Sequence, residues 1–148
     1  MKILVCTDGS KQSQKAIKMA STIAKGCRVN EVAFLHVYSK GEALPISSEG
    51  FTGQQMESFQ KMLEELKKEK EKILSDAVNN FNAKNIKTRN ILREGQPSDT
   101  IIKVAREEEF DLIVLGSRGL GGLNKILLGS VSNTVVQEAK DCSVLVVK

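Results

Sequence analysis

The sequence predicts an α/β fold: a five-stranded parallel sheet in the order 3-2-1-4-5, sandwiched between helix layers. Three observations carry that expectation. Short apolar runs recur at 2–7 (KILVCT), 31–38 (EVAFLHVY), 112–115 (LIVL) and 143–147 (SVLVV). They lack the alternation of a half-exposed sheet, which is the mark of strands covered on both faces. Segments of helical spacing separate the strands, so the order reads βαβαβαβαβ, and right-handed crossovers then make the sheet parallel. The remaining strand, 86–93 (IKTRNILR), is polar and charged, which suits a sheet edge where Lys and Arg discourage stray pairing.

Each element follows in turn. The first strand ends at Asp8-Gly9-Ser10, and Ser10 can cap a helix whose Ala16, Ile17, Ala20, Ile23 and Ala24 recur at helical spacing until Gly26. After the second strand, Ser39 to Gly53 is irregular, with Gly41, Pro45, Gly50 and three serines, and reads as a mobile loop. From about Gln54 to Ala83 the pattern is helical. Met56, Phe59, Leu63, Leu66, Ile73, Leu74, Ala77, Val78 and Phe81 share one face, interrupted by Lys70. Such a helix spans about 45 Å, more than one strand can cover, so its first turns are expected to project or fray. Gly95-Gln96-Pro97-Ser98 turns into a third helix, with Pro97 where a missing N–H costs nothing. That helix ends at Glu107 to Glu109, and a fourth runs over about 129–139 before the last strand.

The 148 residues read as one domain, 1–148, with no repeat or linker; a chain of this size buries roughly 68–70% of its unfolded surface. Hydrophobic residues at 41% and charged residues at 27% match globular averages and exclude a disordered chain. No apolar run approaches the roughly 20 residues of a membrane span, and Ile3 to Cys6 is too short for a signal-peptide core, so a cytoplasmic location with no membrane partner is expected. Cys6, Cys27 and Cys142 are odd in number and far apart. That spacing fits neither a disulfide framework nor a metal site and reads as small buried hydrophobes. A basic bias over 84–106 lacks interleaved aromatics, and the chain is only 4% aromatic, so no nucleic-acid partner is expected.

The chemistry concentrates in Leu112 to Ser132, LIVLGSRGLGGLNKILLGSVS. A strand feeds a glycine-rich, basic-tipped loop that ends at a helix start. Backbone N–H groups and the helix dipole there favour a phosphate. The stretch lacks GxxxxGK[ST] and is not a Walker loop; GxGxxG fails because position 124 is Asn. What it contains is Gly116-x2-Gly119-x9-Gly129-Ser130, closed by Val131-Ser132. Ligands of open α/β sheets bind beyond the carboxyl ends of the strands where strand order reverses. In a 3-2-1-4-5 order the residues after strand one (Thr7, Asp8, Gly9, Ser10), the end of strand two (Val37, Tyr38) and Gly116 to Gly119 converge there.

This glycine pattern resembles the nucleotide-binding signature of the universal stress protein family. The likeness runs through the chain: KILVCTDGS at the first strand and turn, FLHV at the second strand, GQPSDTI before the third helix, DLIVLGSRG at the fourth strand and SVLVVK at the end. The resemblance implies a Rossmann-like domain of the adenine nucleotide alpha hydrolase type that binds ATP or AMP, usually as a homodimer, in stress survival. It implies that Thr7 and Asp8 lie against adenosine and that Val37 contributes backbone contact to adenine. It places Gly116, Arg118 and Gly119 beside ribose and phosphates, and Gly129, Ser130, Val131 and Ser132 on phosphate oxygens. Mg²⁺ or Mn²⁺ accompanying the phosphates is an open option, to which one carboxylate, Asp8, adds little.

No metal triad, nucleophile–base pair or general-base histidine stands near the loop, so no catalytic residue is assigned. His36, inside an apolar strand, reads as structural, and Asp8 and Ser130 have plain alternatives as helix caps. The expectation is a nucleotide-binding regulatory protein whose occupancy is the signal, with an unidentified regulatory partner. The alternatives are a slow or partner-dependent ATPase and a nucleotide-free dimeric scaffold. SVLVV (Ser143 to Val147) is an apolar edge without protective charges, and pairing with its symmetry mate would cover it in a homodimer.

Overall fold

The computed structural model describes residues 1–38, 52–83, 85–120 and 128–148. Most of the Ser39 to Gly53 loop and the glycines 121 and 122 lie outside the described residues. Among those described the order is β1 (Lys2–Cys6), α1 (Lys11–Gly26), β2 (Glu31–Tyr38), α2 (Gly53–Asn80), β3 (Lys87–Glu94), α3 (Pro97–Glu107), β4 (Leu112–Gly116), α4 (Ser130–Glu138) and β5 (Ser143–Val147). The sheet has the expected order β3-β2-β1-β4-β5, and every pairing is parallel. The polar strand and the uncharged last strand are therefore the two edges.

The central strands explain the order. β1 buries Ile3, Leu4 and Val5 completely, and such a run is stable only between two helix layers. Alternate residues face opposite layers. Ile3, Val5, Val32, Phe34 and Val114 pack with Ala16, Ile17 and Ala20 of α1 and Leu74 and Ala77 of α2. Leu4, Cys6, Ala33, Leu35 and Ile113 pack with Ile101, Val104 and Ala105 of α3 and Val135 of α4. Phe34 and Phe81 meet edge to face at 5.5 Å, a geometry aromatic quadrupoles favour.

α1 begins as expected: the Ser10 hydroxyl accepts from the Ser13 N–H at 3.1 Å. Asp8 is not the cap. α2 shows the expected projection. Only Leu74 and Ala77, near its end, are buried within it, while Met62 and Leu63 are exposed. The apolar stripe from Met56 to Leu66 therefore contributes little to the core.

One expectation is corrected. Cys6 is buried and Cys142 half-buried, but Cys27 is exposed, because it lies beyond the last residue of α1, where the chain leaves the core. Burial pushes the thiols of Cys6 and Cys142 up from their ordinary range. No helix among the described residues is long and apolar enough to cross a membrane.

Candidate functional site

A cleft of about 510 Å³ opens at the carboxyl end of the sheet, above the β1–β4 junction. Here the chain connects β1 outward to β2 on one side and, after crossing back, to β4 on the other, so no helix fills the gap and a crevice remains.

Thr7, Asp8, Val37, Gly116, Arg118, Gly119, Gly129, Ser130, Val131 and Ser132 all line this cleft. Three segments far apart in sequence thus meet, while Gly9, Ser10, Tyr38 and Ser117, expected beside them, are not among the residues that line it. The geometry of the lining residues is more specific than the sequence suggested. Thr7 is buried; its hydroxyl lies 3.2 Å from the Ser13 hydroxyl, and its main-chain N–H donates to Leu35 at 2.9 Å. Asp8 accepts two backbone N–H groups. Its Oδ1 takes Ser10 at 3.0 Å, and its Oδ2 takes Leu120 at 3.1 Å. The second bond crosses from the β1–α1 turn to the glycine segment and ties the two walls together.

The glycines serve two purposes. A Cβ on Gly116 would meet the Gln12 carbonyl carbon at 2.8 Å and the Ser13 nitrogen at 3.0 Å. Gly116 therefore lets β4 pass against the backbone of α1. A Cβ on Gly119 would meet Asp8 Oδ2 at 2.6 Å, so Gly119 makes room for the carboxylate at the cleft itself.

The two ends of the glycine segment form a closed neck. The Ser117 carbonyl accepts the Gly129 N–H at 2.8 Å and lies 3.0 Å from the Ser132 hydroxyl, which is also 2.9 Å from the Gly129 carbonyl. Ser132 is buried, and its hydroxyl proton is directed at main-chain carbonyls. Its hydroxyl stitches the neck.

α4 starts beside that neck with Gly129 as its cap residue. No side chain caps it, and its first turn carries no carboxylate. Ser130 is the first helical residue, not the cap. α1 and α2 differ: Ser10 caps the first, and Gln55 reaches back to the Thr52 N–H of the second at 2.8 Å. The positive end of α4 opens on the cleft at Gly129 and Ser130 and is worth about 0.3–1 kcal/mol to an anion there; Pro97, at the start of α3, which also lacks a side-chain cap, lines the cleft as well.

The opposite wall comes from residues the sequence reading did not assign to the site. Glu69, Lys70 and Ile73 of α2 and Pro97 and Ile101 of α3 also line the cleft. Lys70 had a visible signal, since it breaks the apolar stripe of its helix. His36 lines it as well and is buried at 5% exposure. Its Nδ1 lies 2.7 Å from the Thr7 carbonyl oxygen. A carbonyl only accepts, so Nδ1 carries the proton. Nε2 is buried without a hydrogen-bond partner, an arrangement that costs about 1–3 kcal/mol.

Among the described residues no group of three metal-binding side chains exists, and both Asp8 oxygens already accept backbone N–H groups. The described residues of the cleft therefore form no cage of three such side chains.

The universal stress protein family model matches residues 1–148. The chain belongs to the universal stress protein family. Among curated members of that family, it is 36% identical to universal stress protein YxiE of Bacillus subtilis over 147 residues, covering 99% of this chain and 98% of the relative. The solved structure of the Methanocaldococcus jannaschii universal stress protein MJ0577 is 33% identical, with TM-score 0.73 over 99% of this chain and 94% of that one. A universal stress protein solved in complex with cAMP is 26% identical, with TM-score 0.59 over 100% of this chain and 96% of the other. Family membership thus accounts for the sheet order.

Proposed function

We propose that this chain binds an adenine nucleotide, ATP or AMP, in the cleft, and that occupancy is the signal it passes on in a stress response. The observation that carries the reading is the convergence of Thr7–Asp8, Val37 and the closed Gly116–Ser132 neck on one crevice. In this reading the base lies toward Val37 and the ribose toward Asp8 and Gly119. The phosphates lie at Arg118 and at the uncapped start of α4, with Gly129, Ser130, Val131 and the main chain of Ser132 as donors. A divalent ion, Mg²⁺ or Mn²⁺, would ride on the phosphates and its own waters. The cAMP complex of a related universal stress protein supports a nucleotide at this fold. In this reading hydrolysis is at most slow or dependent on a partner, because no general base or nucleophile is assigned beside the phosphate end.

The test is direct. Purified protein is denatured and its released small molecules are identified by mass spectrometry, and the stripped protein is titrated with ATP and AMP by calorimetry. Adenine nucleotide in the extract and saturable binding are expected; no binding at millimolar nucleotide overturns the reading.

We further propose a homodimer through β5. Its sequence, SVLVV, carries no charge, and Val144, Leu145, Val146 and Val147 remain half-exposed at the sheet edge. An isologous pairing would satisfy that edge. A monomer by sedimentation at micromolar concentration overturns it.

A further inference from the structure

We propose that the exposed face of α1 is a docking surface for a partner protein, and that its occupant is a helix carrying carboxylates along one side. None of the residues involved lines the cleft, so this surface stands or falls apart from the nucleotide reading.

The net charge of the molecule is concentrated here. Residues 11–28 hold five of the chain's 22 basic residues, Lys11, Lys15, Lys18, Lys25 and Arg28, and none of its 18 acidic ones. The remainder, 17 basic against 18 acidic, carries −1, so this one segment accounts for the whole net charge of +4. Lys11, Lys15, Lys18, Thr22 and Lys25 recur at i, i+4, i+7, i+11 and i+14 and are all exposed. They form a single row opposite the buried Ala16, Ala20 and Ala24, about 21 Å long. α2 and α3 instead neutralise charge within themselves, through Glu57–Lys61 at 3.0 Å, Lys67–Glu71 at 4.0 Å and Lys103–Glu107 at 3.9 Å. Among the described residues no carboxylate pairs with any of the five basic side chains of 11–28; Lys15 reaches only the Lys148 carbonyl, at 3.3 Å. The row costs its own helix stability. Lys11 stands at the positive end of the helix dipole, with no acid in the first turn, and Lys15 has like-charged neighbours at Lys11 and Lys18.

The chemistry of the face selects its occupant. A basic helix that lies on a membrane sinks an apolar face below its charges, but the apolar face of α1 is spent in the core with Ala16, Ile17 and Ala20. Nucleic acid is gripped by aromatic side chains that stack on bases and by arginine forks on phosphate, and the row contains neither. What it does contain is Met19, 41% exposed, one turn from Lys15 and from Thr22. A thioether gains from an apolar side chain and nothing from a phosphate. A partner helix with Asp or Glu at the same spacing sets a carboxylate opposite each ammonium over the same rise and lays an apolar neighbour on Met19.

The probe is a fluorescein-labelled alanine-based helical peptide with Glu at i, i+4, i+7, i+11 and i+14 and a Leu beside that row. The full chain, free of nucleotide, is titrated into it, and binding is read by anisotropy. Saturable binding that weakens as salt rises is expected, with amide resonances of α1 moving on addition of the peptide. Lys11→Glu/Lys18→Glu should weaken binding about tenfold or more. The same double variant should melt no lower than the parent, because it places an acid in the first turn and turns both like-charge contacts of Lys15 into attractive ones; its loss of binding is then not a loss of fold. Met19→Gln should weaken the peptide about fourfold, the worth of one buried methylene. Lys61→Glu/Lys68→Glu, an equal reversal on exposed positions of α2, should change nothing. Equal binding by the Lys11→Glu/Lys18→Glu protein, or no peptide binding at low salt, overturns the proposal. So does tighter binding, in parallel titrations, to a 20-base-pair DNA duplex or to phosphatidylserine vesicles, either of which would replace the protein helix as occupant.

Discussion

The two ends of the sheet are built on opposite terms. At the amino end a set of charged groups is paired inside the protein. Arg89 on β3 pairs through Nε with Glu31 of β2 and through its terminal nitrogen with Glu108 after α3, and Lys87 stands 3.5 Å from Glu31. The Lys2 ammonium donates to the Glu108 carbonyl, and Lys2 and Arg89 both stand over the Phe110 ring, at 5.1 and 5.6 Å. At the carboxyl end, α4 begins uncapped, and the buried side-chain atoms without a partner among the described residues, His36 Nε2 and Ser117 Oγ, both lie there. One end is closed on itself, and the other leaves interactions for something else to complete. Stability and binding are therefore separable by position, and mutations at the two ends should divide accordingly.

The largest effect belongs to Gly116→Ala, at the border of the two functions. The new Cβ meets backbone atoms of Gln12 and Ser13 within 3.0 Å, and a helix backbone cannot rotate aside as a side chain can. Overpacking of this kind costs about 1–3 kcal/mol. Urea denaturation should show a lowered midpoint, with nucleotide affinity falling as the glycine segment is displaced. Next is Arg89→Ala, which removes the hydrogen-bonded partner of a mostly buried Glu31 and of Glu108, leaving them the longer contacts from Lys87 and Arg93. Because Arg89 is about one-third exposed, water softens the loss to about 1–2 kcal/mol. Nucleotide affinity should not change, and a matching drop in affinity would break the division between the ends.

Acid should find the amino end first. The hydrogen bond from Arg89, aided by the charges of Arg89 and Lys87, holds the Glu31 carboxyl below its ordinary value of 4.5. A carboxyl depressed on folding contributes stability that is fully present above 4.5 and lost as pH falls through its lower folded value. Glu31→Gln should lower stability at neutral pH by on the order of 1 kcal/mol and flatten the decline of stability below pH 4.5. An unchanged acid limb in thermal melts would show that Glu31 is not the group responsible.

The same division explains what could be read from the sequence. The fold was legible because continuous apolar runs such as Ile3–Cys6 admit one solution, burial between two helix layers, and the charged β3 and uncharged β5 mark themselves as edges. The family's glycine spacing and the strand order together brought Thr7, Asp8, Val37 and the 116–132 residues to one cleft. Contacts across the cleft were not legible. Nothing in the pattern says that Ser132 bonds Ser117, that Asp8 bonds Leu120, or that α2 brings Glu69 and Ile73 to the wall. Those depend on helix placement and side-chain rotation, which periodicity does not encode. Lys70 and His36 sit between these cases. Each breaks an apolar run, a visible irregularity whose partner only the tertiary structure supplies.

The smallest expected effect is also the most discriminating. Gly119→Ala puts a Cβ 2.6 Å from Asp8 Oδ2, but here the obstacle is the end of a short side chain. The carboxylate can turn away at the loss of its 3.1 Å bond from the Leu120 N–H, so stability should fall by about 1 kcal/mol or less. Affinity for nucleotide should fall with it, since Asp8 then no longer joins the two walls. If the clash acts through Asp8, the two sites are coupled, and a double-mutant cycle measures it. In an Asp8→Ala background, Gly119→Ala should cost nothing further in urea melts or calorimetry. Additive losses would mean that the methyl disturbs the glycine segment directly, leaving the Asp8–Leu120 bond as a by-product of the loop's path and not its tether.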